Sequence, residues 1–156
     1  MNGKAPWRAS NLMVRPLAVG ERDALAAVLA REHLPREGLD DPGGLFWRFD
    51  TMQDVPLGFG GIELHGADAL LHSVVTLPPA RRRGIGSAIV TVLETEASIA
   101  GCHAIYVLAH AGGLFERLGY RVCAPDRVPR FMAGRGPGAA AVMVKHLTVP
   151  AKSARK

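Results

Sequence analysis

Cysteine is nearly missing from this chain: Cys102 and Cys123 are the only two in 156 residues, and their separation matches no metal-ligand spacing. No disulfide framework and no metal site are expected, and the two thiols are read as reduced. Aromatic residues are also few, at 6%. They do not interleave with basic residues in the way that stacks bases along a strand, so no nucleic-acid partner is expected. No stretch reaches the roughly 18 consecutive apolar residues that a membrane span requires, which argues against a membrane partner. Positive charge in Met1 to Arg8 has no apolar run behind it, so it does not read as a secretory signal, and the expected location is cytoplasmic. Acidic side chains are the scarcer sign, 14 against 19 Lys and Arg, and the formal charge of +5 favours anionic partners. The P-loop pattern of Gly, four residues, then Gly-Lys-Ser/Thr is missing, and so is a G-x-G-x-x-G fingerprint after the first strand. No internal repeat or heptad is present.

What remains is an ordinary globular composition, 48% hydrophobic and 21% charged, long enough for one domain with a proper core. The domain is placed at residues 11–148, between a flexible start at 1–10 and a basic tail at 149–156. A first strand is expected at Leu12 to Arg15, closed by Pro16, then a helix from Glu21 to Arg31 with Leu25, Val28 and Leu29 on one face. His33 to Asp54 breaks up around Pro35, Gly38, Pro42, Gly43 and Gly44. The apolar run Leu45 to Phe49 inside it is read as one short helix in a loop. Val55 to His65 and Ala69 to Thr76 read as antiparallel strands joined at Gly66-Ala67-Asp68.

A helix from Arg83 to Ile99 follows, with Ile85, Ala88, Ile89, Val92, Leu93 and Ala97 in one stripe and Thr91, Glu94 and Glu96 toward solvent. Gly101 ends it. His103 to Leu108 is a strand, Gly112 to Leu118 a short helix stopped by Gly119, and Tyr120 to Ala124 and Ala139 to His146 the last strands. Pro125 to Gly138 is a loop directed at the substrate side. The order is mixed α/β.

Between the central strand and the long helix lies Pro78-Pro79-Ala80-Arg81-Arg82-Arg83-Gly84-Ile85-Gly86-Ser87. Two residues without Cβ let the chain turn sharply and let a phosphate approach its amides. The first turn of the helix adds unpaired N–H groups and partial positive charge, and three arginines strengthen the field. Such a turn suits a phosphate or pyrophosphate.

Arg81-x-x-Gly84-x-Gly86 resembles the acyl-coenzyme A signature of the GCN5-related N-acetyltransferases (GNAT), R/Q-x-x-G-x-G/A, and Pro78 stands three residues before the arginine. Ala111-Gly112-Gly113-Leu114-Phe115-Glu116-Arg117-Leu118-Gly119-Tyr120 resembles a second family block, A-x-x-x-Y-E-K-L-G-F. The resemblance implies the GNAT fold, a mostly antiparallel sheet of six or seven strands flanked by helices. It further implies acetyl-CoA as cosubstrate, an amine on a small molecule or protein as acceptor, and direct attack. A homodimer through the final strands also occurs in such proteins. Leu34-Pro35-Arg36-Glu37-Gly38-Leu39 faintly resembles the arsenic-resistance branch, whose Cys- and Met-rich ending is replaced here by Gly136 to Met143.

By position in the family, the backbones of Val75, Thr76 and Leu77 would hold the pantetheine arm. Arg82, Arg83, Gly84, Ile85, Gly86 and Ser87 would hold the pyrophosphate, with Arg81 as the motif's basic residue, and Phe115 would pack at the pantetheine end. A backbone N–H at Val74 or Val75 would polarise the thioester carbonyl. Phe115 stands where the family commonly has a tyrosine acid, and it cannot donate a proton. A thiol with a pKa of about 8.5 is, however, a tolerable leaving group near neutral pH. Glu63, His65, His72 and His110 are candidate bases. Strand alternation puts Gly61, Glu63 and His65 on one face, and Glu63 is favoured as a base acting through water. Phe46 and Trp47, with Phe49, would wall the acceptor site or else belong to the core. A non-catalytic acyl-CoA-binding module is the alternative that Phe115 motivates.

Overall fold

The computed structural model describes residues 8, 11–34, 36, 38–39, 43–80, 83–109, 113–133 and 141–148. Strands β1 (Met13–Pro16), β2 (Leu45–Asp50), β3 (Pro56–His65), β4 (Asp68–Thr76), β5 (Ala104–Ala109), β6 (Arg121–Val122) and β7 (Ala141–His146) form one sheet in the order β1-β2-β3-β4-β5-β7-β6. Every neighbouring pair is antiparallel except β4 with β5. That parallel pair needs a crossover, and helix α2 (Ile85–Ile99) supplies it. Helix α1 (Arg22–Arg31) and the short α3 (Leu114–Arg117) complete the elements used below.

The run Leu45 to Phe49 is a strand, not the expected short helix. It lies between β1 and β3 and pairs with both. Period-2 alternation sends Trp47 and Phe49 into the core beneath α2, while Phe46 joins Leu25 and Leu29 of α1 on the other face. Four apolar or aromatic residues within a Gly/Pro-rich segment carry too short a pattern to reveal that period. The decisive partner is distant: Gly61 lies opposite Phe46, and a Cβ there would meet the Phe46 ring at 2.7 Å.

Two cores result, one on each face. Helix α2 presents Ile85, Ala88, Ile89, Leu93 and Ala97 as the spacing predicts, but Val90 is also fully buried and Val92 only partly. The helix sits so close to β3 that a Cβ at Gly60 would meet Leu93 Cδ1 at 2.7 Å, and one at Gly58 would meet Ile89 Cδ1 at 2.8 Å. Glu94 is not a solvated charge. It accepts a hydrogen bond from Tyr120 Oη at 2.8 Å and one from Lys145 Nζ at 3.1 Å, tying α2 to the last strands.

Asp50 is fully buried at the end of β2, where Arg48 Nε donates to it at 2.7 Å and Arg15 stands 3.7 Å away. The late loop contains two short 3-10 turns, Pro125–Arg127 and Arg130–Met132. Among the described residues no helix is long and apolar enough to cross a membrane.

Candidate functional site

The site begins where two strands part. Strand β4 pairs with β5 only from Asp68 opposite Ala104 to Leu71 opposite Val107. Beyond that point β4 stays with β3 as far as Thr76, while β5 stays with β7 as far as Ala109. A β-bulge marks the parting: Phe59 faces Val75 and Gly61 faces His72, so Gly60 stands opposite both Ser73 and Val74. Ser73 has φ 57°, in the left-handed region where a side chain costs energy. Bulges bend and twist the strand that holds the extra residue, which turns β4 away from β5. The extra residue also shifts the alternation, so that Val75 rather than Val74 shares the α1-side core.

Leu77 N–H donates to Leu57 C=O at 2.9 Å. By antiparallel alternation Val75 then directs its amide at β3, and Thr76 directs its backbone to the opposite side, that of the cleft. Of Val74 and Val75, the two residues expected to offer a polarising amide, Val75 is thus engaged with β3.

Strand β4 runs on into α2 through the glycine turn. Gly84 caps the helix at φ 80°, a conformation that glycine adopts without a Cβ penalty. Ala88 N–H makes the first helical bond, to Gly84 C=O at 3.1 Å, so the amides of Ile85, Gly86 and Ser87 precede the helical ladder. The atoms nearest a Cβ at Gly86 are Leu114 Cδ2 at 3.8 Å and Thr76 Cγ2 at 3.9 Å. Strand end, helix start and α3 therefore converge on one open spot whose amides and helix charge suit a phosphate. Arg83 is partly buried and engaged with neighbours. Arg81 and Arg82 lie outside the described residues.

On the opposite face, Glu63 is buried at 4% exposure. Its Oε1 is 3.0 Å from His65 Nε2, and its Oε2 is 4.0 Å from His72 Nε2, the second too long for a hydrogen bond. His72 Nδ1 lies 2.9 Å from Ser73 Oγ at the bulge. Gly38 of the first loop, at φ 82°, roofs the carboxylate so closely that a Cβ would meet Glu63 Oε2 at 2.7 Å. Arg22 holds that loop down: its guanidinium donates to Leu39 C=O and Gly44 C=O, both at 3.0 Å, and rests 4.9 Å from the centre of the Phe46 ring. Neither Arg22 nor Ser73 was legible as a site residue, because one acts through backbone carbonyls and the other through a φ angle. Among the described residues no three His, Cys, Asp or Glu side chains are arranged to hold a metal ion.

The structure brings Glu63, His65 and His72 together and leaves other candidates apart. His110 lies outside the described residues. Trp47 is core on the α2 side, across the sheet from Glu63, and Phe46 is 3% exposed and meets His72 edge to face at 5.3 Å. Phe115 packs on the α2-side core and meets Tyr120 edge to face at 5.2 Å. Tyr120 is 2% exposed, and burial, then the Glu94 carboxylate, pushes its phenol far above the usual range. It is a structural hydroxyl rather than a substitute acid.

A splayed sheet with a bulged strand entering a glycine turn at a helix start defines an acyl-CoA acyltransferase architecture. Residues 13–120 match the Acetyltransferase (GNAT) family, and the chain belongs to it. No curated protein matches the sequence. Solved structures are similar in fold. Tetrahymena GCN5 superposes with a TM-score of 0.72 at 12% identity, over 89% of this chain and 98% of that one. A GNAT-family acetyltransferase from Staphylococcus aureus gives 0.71 at 13%, over 88% and 99%. N-acetylglutamate synthase from Neisseria gonorrhoeae, complexed with coenzyme A and L-arginine, gives 0.71 at 18% over 92% of this chain, which spans only 34% of that longer protein.

Proposed function

We propose that the protein is an N-acetyltransferase that moves the acetyl group of acetyl-CoA to an amine of a small molecule or protein by direct attack. The observation that carries this reading is the parting of β4 from β5 at Leu71, immediately before a strand that ends at the α2 glycine turn. Pantetheine would pair with the outward backbone around Thr76, while the pyrophosphate would sit on the amides from Arg83 to Ser87, with Arg81 and Arg82 adding charge. The Val74 amide would polarise the thioester carbonyl. Glu63 would take the proton of the incoming amine, and the thiolate would depart without a side-chain acid, since Phe115 offers none.

The fit is testable at Gly86, where space is open. Gly86→Glu places a carboxylate in the first turn of α2, which favours the helix electrostatically but repels a pyrophosphate. The melting temperature is expected to hold or rise while the acetyl-CoA Kd increases by about tenfold or more, and Gly86→Ala should keep binding. Unchanged affinity in Gly86→Glu removes this turn as the coenzyme site. Release of free CoA thiol with any member of a panel of small and peptide amines rules out a purely acyl-CoA-binding module.

A further inference from the structure

We propose that Glu63 and His65 work as a dyad sharing a proton, and that His65 is the route by which a proton taken up at Glu63 reaches water. This rests on the N-acetyltransferase reading. Glu63 is buried under Gly38 and has little solvent of its own to receive a proton. The His65 side chain, in contact with Glu63 at 3.0 Å, is 31% exposed, so the pair spans from the sheet interior to the surface. Aromatic packing fixes the His65 ring in this position. It stacks on Phe131 with centroids 4.1 Å apart and planes 5° from parallel, and Phe131 in turn packs edge to face with Tyr106. His72 of β4 stands 4.0 Å from Glu63, Asp68 lies opposite His65 in the β3–β4 register, and Tyr106 of β5 adjoins Phe131.

In the transfer step the amine N–H bond breaks and the proton binds the Glu63 carboxylate, giving a carboxylic acid. The resting His65 ring donates its Nε2–H to that carboxylate; once Glu63 is neutral the ring exchanges its proton through water to Nδ1, the acid protonates the freed Nε2, and the Nδ1 proton leaves to water, which restores the starting carboxylate and Nε2–H tautomer.

NMR of the ring nitrogens tests the dyad in the folded protein. Replacing Glu63 by Ala should move the neutral His65 ring away from its Nε2–H tautomer, because the carboxylate that Nε2–H faces at 3.0 Å is gone. In steady-state assays, His65→Phe keeps a ring to stack on Phe131 yet should lose about tenfold or more in kcat, with the acetyl-CoA KM near wild type and partial recovery in imidazole buffer. A tautomer balance unmoved by Glu63→Ala, or a His65→Phe variant with wild-type kcat, overturns the proposal. A wild-type protein that releases no CoA with any amine overturns the acetyltransferase reading instead, and the ring tautomer then decides the dyad by itself.

Discussion

Ser73 concentrates the conformational demand of the cleft in one residue. Its left-handed backbone costs about 1–2 kcal/mol, and its hydroxyl returns about 1 kcal/mol through the contact with His72. Ser73→Gly should therefore leave stability within about 1 kcal/mol of wild type, because relief of the backbone offsets the lost contact. Ser73→Val loses the contact and adds a β-branched side chain at positive φ, so denaturant unfolding should show a loss of about 2 kcal/mol or more. Equal stabilities for the two variants would mean that the bulge does not hold φ at this position. Nothing in the sequence marks Ser73, since the bulge is a difference in length between β4 and its partner strand.

Among the elements, α2 was the most legible and β2 the least. The helix has fifteen residues with an apolar stripe and a glycine at each end, so its local pattern and its packing agree. Its closeness to the sheet was not legible, because it depends on what β3 lacks. Gly58 and Gly60 leave room for Ile89 and Leu93. Gly60→Ala puts a methyl group where Leu93 Cδ1 already is, and the expected cost is about 1–3 kcal/mol, read as a lower denaturant midpoint with unchanged m-value. A smaller side chain at the other partner tests the cause: Leu93→Val in the Gly60→Ala background should cost less than the sum of the two single changes. Strand β2 had aromatic residues in alternation but only six positions, bounded by loop-like sequence. Its identity came from pairing on both sides with β1 and β3.

At the scale of the whole molecule, helix α2 is tied to the β5-β7-β6 half of the sheet by Tyr120, Glu94 and Lys145. Because burial, then Glu94, raises the Tyr120 pKa above its ordinary 10.0, the unfolded chain ionises first. Stability from this group is complete below pH 10 and falls by about 1.4 kcal/mol for each pH unit above it. Burial also raises Tyr106, which adds its own share to the alkaline loss. Tyr120→Phe is expected to cost about 1 kcal/mol at neutral pH and to flatten the decline above pH 10. Denaturant midpoints measured from pH 8 to pH 11 check both; an alkaline slope identical to wild type would show that the phenol is not held neutral by its surroundings.

By itself the sequence determined the family and a turn that suits a phosphate, because a glycine turn at a helix start acts through local geometry: the spacing of two glycines, the helix amides and nearby positive charge are all contiguous in the chain. The central hairpin and α2 were determined in the same way, by short-range periodicity. Only the tertiary structure decided that Leu45 to Asp50 is a strand, that Gly38 and Arg22 close over Glu63, and that His65 and His72 flank it. Those relations join residues far apart in the chain or on different strands, and they depend on register and on a single extra residue in β4. Periodicity along one segment carries no information about either, since a register is a property of two strands and a bulge is a property of their difference.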